Sequence, residues 1–159
     1  MSLDKARVIA ALLKGLESEL GAVERVAEMA RDEATNSETK AEGKYDTRAT
    51  EASYLARGQA TRIAELRRLR AWYRQLVQAQ LDARPQVGIG SLVQLMGERA
   101  EWVFLAPSGG GKVELDGQRI RVISLSSPLG SALAEQEAGD GVEVDTPRGL
   151  NELEILQVL

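Results

Sequence analysis

Two apolar rows at helical spacing, converging on Gly43, constrain this chain more than any other feature of its sequence. The first row is Ile9, Leu13, Leu16, Leu20, Val23, Ala27, Ala30 and Ala34. The second is Ala52, Ala56, Ala60, Ile63, Leu66, Leu69, Tyr73 and Leu76. Steps of three and four residues keep one stripe on a helix that packs along another. Folding the chain back about residue 43 sets small against small and large against large: Ala30 with Ala56, Val23 with Ile63, Leu16 with Leu69, Ile9 with Leu76. The spacing predicts a long antiparallel helical hairpin with its tip at about 36–50. The flanks carry opposite charge, Glu17, Glu19, Glu24, Glu28, Asp32 and Glu33 against Arg57, Arg62, Arg67, Arg68, Arg70 and Arg74. Exposed pairs of this kind contribute a few tenths of a kcal/mol each, so they select the register more than they stabilise it.

The texture changes at Arg84-Pro85. No proline precedes Pro85, and Ala, Leu, Glu and Arg dominate there, all strong helix formers. Beyond it come short alternating segments: 91–95, 101–105, 119–123, 142–144 and 151–156. Turn signals separate them at Gly109-Gly110-Gly111, Asp116-Gly117, Gly139-Asp140-Gly141 and Thr146-Pro147-Arg148-Gly149. One short helix fits Leu129–Gln136. The fold class is therefore α+β: a long antiparallel coiled-coil hairpin over 1–83, a linker over 84–90, and a small, mostly antiparallel β domain with one helix over 91–159.

Composition narrows the chemistry. The 159 residues contain neither cysteine nor histidine, which removes disulfides, thiolate zinc sites, thiol nucleophiles and the usual general base. Any metal must be held by oxygen, which favours a hard ion such as Mg²⁺. No apolar run is long enough to span a bilayer, and Met1-Ser2-Leu3-Asp4-Lys5 does not read as a targeting peptide, so a cytoplasmic location is expected. The run Ala106–Lys112 fails as a phosphate loop, because Ala106 stands at the first glycine and Val113 at the Ser/Thr; a loop between strands is expected instead. The arginines and aromatics of 67–74 read as one helix, with Leu69 and Tyr73 on the seam and arginines facing the acidic partner helix.

The tip, Ala41 to Glu51, is the candidate site. Asp46 or Thr47 can cap the second helix, and Glu42, Asp46 and Glu51 are the carboxylates able to reach a metal held by a partner. Lys44, Tyr45 and Arg48 are the candidate tip contacts. The tip alone cannot enclose Mg²⁺, which needs further ligands and keeps waters.

The C-terminal residues resemble the Gre family of transcription elongation factors (GreA/GreB-like). Ile123-Ser124-Leu125-Ser126-Ser127-Pro128-Leu129-Gly130-Ser131-Ala132-Leu133 is similar to the family's I-S-x-x-S-P-[IL]-[AG]-x-A-L. Gly139-Asp140-Gly141-Val142-Glu143-Val144, the Pro147-Arg148-Gly149 turn and the closing segment Leu153–Val158 follow in family order. The resemblance implies an FKBP-like C-terminal domain without isomerase activity, preceded by a coiled coil of this length. It also implies bacterial RNA polymerase as partner, with the hairpin entering the secondary channel. In cleaving members two tip carboxylates hold a second Mg²⁺ in the polymerase active site, which hydrolyses the backtracked transcript.

At the tip this chain departs from the family's D-x-x-E-N-A-E-Y. With the tyrosine placed on Tyr54, Thr47 and Thr50 stand where the two metal-binding acids belong. The resemblance thus implies polymerase binding and elongation control, with any RNA cleavage performed by the polymerase centre and no intrinsic cofactor. Contact with nascent RNA through the tip, and a monomeric chain, are further expectations. Two alternatives stay open: a non-cleaving inhibitor or regulator of the same channel, and an FKBP-like interaction module with a coiled-coil arm.

Overall fold

The computed structural model describes residues 3–38, 47–78 and 84–159. Two helices come first, α1 (Lys5–Glu38) and α2 (Thr47–Gln78). The strands are β1 (Leu92–Met96), β2 (Ala100–Ala106), β3 (Lys112–Leu115), β4 (Gln118–Ser124), β5 (Gly141–Thr146) and β6 (Gly149–Val158), with α3 (Pro128–Leu133) between β4 and β5. An N-terminal helical region followed by a sheet domain is the predicted architecture. The chain forms two compact units, one of residues 13–72 and one of residues 1–12 with 73–159.

In the first unit Leu16, Leu20, Ala27, Ile63 and Leu66 are buried, all on the predicted seam. Ala27 lies with Ala60 and Ile63 along one interhelical cleft, within a residue of the pairing centred on 43. The seam does not close throughout: Ala30, Ala34, Ala56 and Ala60 are exposed. A methyl group removes too little apolar area from water to draw two helices together by itself. Of the predicted cross-helix charge pairs, Arg62 reaches Glu19 at 2.7 Å and Arg67 reaches Glu24 at 2.9 Å.

The second unit is built on a six-stranded sheet ordered β3-β4-β2-β1-β6-β5. Every neighbouring pair is antiparallel except β2 and β4, which run parallel with Trp102 opposite Ile120 and Phe104 opposite Val122. β3 was not among the predicted strands. The glycines before it absorb the approach, Gly110 and Gly111 at φ 111° and 86°, and Gly110 N–H donates to Val122 O while Val122 N–H donates to Gly111 O. β6 carries a bulge, because Gln94 pairs with Gln157 and Leu95 with Ile155, which leaves Leu156 extra.

Strand alternation sorts the side chains onto two faces. One face holds a core of Val93, Leu95, Val103, Leu105, Ile123, Leu153 and Ile155, packed with Val87, Leu133 and the partly buried Leu129. The other buries Leu92, Trp102, Phe104, Ile120 and Val122. There Tyr73 stacks on Phe104 with ring centroids 6.0 Å apart and planes 22° from parallel. Burial of Tyr73 pushes its hydroxyl up to about 12, since the phenolate would lose its hydration.

α3 begins where its sequence says it should. The Ser127 Oγ accepts from Gly130 N–H at 3.0 Å and donates to Ser124 O at 2.6 Å, and Pro128 occupies the first turn. Gly130 sits so close to the Ser124 carbonyl that a Cβ would lie 1.9 Å from its oxygen. The helix stops earlier than the predicted Gln136. Residues 135–137 are taken instead by an extended pairing with the segment after Pro85: Glu135 N–H donates to Val87 O, Val87 N–H donates to Gln136 O, and Gln86 bridges Glu137. Glu135 adopts φ 66° to make that exit. Ser127→Ala, which removes both the cap and the tie to Ser124, is expected to cost about 1–2 kcal/mol in urea unfolding.

Candidate functional site

The tip candidates divide by what the structure describes. Glu42, Gly43, Lys44, Tyr45 and Asp46 lie outside the described residues. Thr47, Arg48, Thr50 and Glu51 fall in the first turns of α2. Thr47 and Thr50, which the resemblance aligns with the family's acids, are three residues apart in that helix, and Glu51 follows directly.

Between them the two helices leave an open cleft of about 380 Å³, lined by Ala27, Ala60 and Ile63 with Glu24 and Arg67 at its side. Its small walls and the exposed Val26, Met29, Tyr54 and Leu55 belong to the distal part of the helices. Arg57 lies over the Tyr54 ring at 5.8 Å, a cation–π contact on the surface of α2. Among the described residues no group of three or more His, Cys, Asp or Glu is placed to hold a metal ion. No described helix is long and apolar enough to cross a membrane.

In the sheet unit Arg7 makes a bidentate pair with Asp116, at 2.6 and 3.1 Å, and Asp116 itself sits at φ 52° in the β3–β4 turn. The hydrogen bond to Asp116, and then its charge, raise the Arg7 pKa. Arg99, Arg119, Arg121 and Arg148 are not among the site residues expected from the sequence. The signal was present: Arg119 and Arg121 are two apart in a strand and must share a face, and Arg99 and Arg148 follow turn residues.

Residues 83–159 match the family described as "Transcription elongation factor, GreA/GreB, C-term". The transcription elongation factor GreA of Streptococcus sanguinis is 33% identical over 88 residues, covering 54% of this chain and 52% of that protein. GreA of Streptococcus pneumoniae is 32% identical over a stretch of the same length. The chain thus spans about half the length of the curated relatives it matches. Among solved structures, Thermus aquaticus Gfh1 covers 91% of this chain, with 92% of its own length matched, at 19% identity and a TM-score of 0.39. A GreA/GreB factor from Nitrosomonas europaea covers 48% of this chain, with 64% of its own length matched, at 27% identity and a TM-score of 0.36. The Ser127-Pro128 cap, the Gly130 contact with Ser124 and the closing β5–β6 pair are the structural form of the quoted motif, and they lie within residues 83–159, the part of this chain that matches the C-terminal domain of the GreA/GreB transcription elongation factors.

Proposed function

We propose that this chain binds bacterial RNA polymerase and modulates transcription elongation, its helical hairpin entering the secondary channel. The observation that carries the reading is the GreA/GreB C-terminal match over 83–159, preceded by two long helices paired along a seam. The chain brings no cofactor of its own. A Mg²⁺ shared with the polymerase would polarise the transcript phosphate and activate water, and the oxygen-only donor set here suits that ion. Glu42, Asp46 and Glu51 are the carboxylates offered to it, with Lys44, Tyr45 and Arg48 as contacts to the channel or the nascent RNA. The chain acts as a monomer in the cytoplasm, where its partner is.

Thr47 and Thr50 at the acid positions favour a second reading, in which the chain occupies the channel and regulates without cleavage. A single assay separates the two. Purified polymerase halted in a backtracked state is incubated with the chain and Mg²⁺, and the RNA is resolved by length. A cleavage factor shortens the transcript only when Mg²⁺ is present. A regulator displaces a known GreA yet releases no 3′ fragment. Absence of any association with polymerase overturns both readings.

A further inference from the structure

α3 is six residues long and packs at one end of the sheet face that carries Val103, Leu105 and Ile123. One step further along the same face the strands turn polar: Glu101 on β2, Arg119 and Arg121 on β4, Asn151 on β6. The strand directions also bring three turns to that end, β1–β2 with Arg99, β3–β4 with Gly117, and β5–β6 with Arg148. These residues line one open groove of about 1060 Å³, enough for several residues of extended chain.

The charges in the groove are not all neutralised. Arg121 lies 3.2 Å from Glu101 and Arg119 lies 3.3 Å from Glu114. Arg99 and Arg148 line the same groove, both exposed, and neither has a carboxylate partner among the described residues. The Arg148 backbone is set by its turn, where Thr146 Oγ1 accepts from Arg148 N–H and donates to Gly149 O at 2.7 Å, with Gly149 at φ 116°. Two guanidinium groups without a carboxylate partner among the described residues, in a chain of net charge −4, mark a local preference for acids, and a planar fork suits carboxylates.

We propose that this groove binds an extended acidic segment of a protein partner, with Arg99 and Arg148 taking its carboxylates. A nucleic-acid strand fits less well, because its phosphates recur at every nucleotide and would meet Glu98, which lines the groove without a cationic partner among the described residues, whereas a peptide can place carboxylates at Arg99 and Arg148 alone. The inference rests on the polymerase reading above, which makes the acidic segment part of RNA polymerase.

The test titrates the fluorescently labelled full chain with purified bacterial core RNA polymerase. R99E/R148E is expected to bind at least about tenfold more weakly, R99K/R148K, which keeps the charge and loses the fork, to fall between it and the parent, and added salt to weaken the parent more steeply than R99E/R148E. Both side chains are exposed, so an unchanged unfolding midpoint for R99E/R148E ties the loss to binding. Parent-like affinity in R99E/R148E overturns the groove and leaves polymerase binding standing. Failure of the parent chain to bind overturns both. Short single-stranded RNA is the second probe: RNA binding that R99E/R148E abolishes, with polymerase affinity unchanged, assigns the groove to nucleic acid and overturns the peptide.

Discussion

Phe104→Ala is expected to remove about 3–5 kcal/mol from the stability of the sheet unit, a large share of what a small domain holds. Phe104 is fully buried at the middle of β2, between Leu92 on one neighbouring strand and Val122 on the other. Its ring also carries the Tyr73 stack, so truncation opens a cavity in the sheet and strips an aromatic partner from α2 at once. The backbones of both neighbours are held in paired strands, so relaxation into the space is only partial. Urea unfolding followed by far-ultraviolet circular dichroism reads the loss. Tyr73→Phe serves as the comparison: it keeps the stacked ring and is expected to cost far less than Phe104→Ala. A loss under about 1 kcal/mol for Phe104→Ala would show that the stack does not anchor this face.

The second large effect concerns the tip. If the chain promotes transcript cleavage through the proposed tip carboxylates, the triple substitution Glu42→Ala, Asp46→Ala, Glu51→Ala is expected to lower the rate of RNA shortening at least about a hundredfold, since the charge proposed to hold the shared metal would be gone. Affinity for polymerase is expected to stay within about threefold, because the sheet unit is untouched. Thr47→Asp with Thr50→Glu gives the opposite test, restoring acids at the family positions. Those two positions lie in the first turn of α2, where acids are also favoured by the helix dipole, so the substitution does not unravel the helix. A gain of cleavage would show that the threonines, rather than the hairpin, withhold the chemistry. Cleavage by the parent chain that survives the triple substitution would remove these carboxylates from the mechanism.

Much of the fold was legible because periodicity is a direct consequence of burial. The helical seam was read from Leu16, Leu20, Ile63 and Leu66, and these are buried. Five of the six strands were read from alternation. β3 escaped because Lys112-Val113-Glu114-Leu115 is a short edge strand with no buried residue, so its alternation carried little contrast. The end of α3 was misplaced because local propensity favours helix through Ala134-Glu135-Gln136, whereas a pairing with Val87, nearly fifty residues earlier, claims that backbone. Ala30 and Ala56 illustrate the converse: spacing placed them on the seam, but a methyl group alone does not enforce contact. Legibility of the site was narrower. Motif order in 123–158 led to the family, while the groove arginines come from two turns and strand β4, far apart in sequence, and share a location only through topology.

The sheet order has a kinetic consequence. β1, the first strand of the domain, lies at the centre with β2 on one side and β6 on the other, and the main chains of Leu92 and Leu159 exchange hydrogen bonds. The parallel β2–β4 pair likewise waits for the β3–β4 hairpin to swing back. Closing the sheet thus requires contacts between residues about seventy positions apart, which slows folding relative to a helical protein of equal size. During synthesis β1 keeps an unpaired edge until β6 has left the ribosome, and that interval is when this domain is most exposed to wrong pairing.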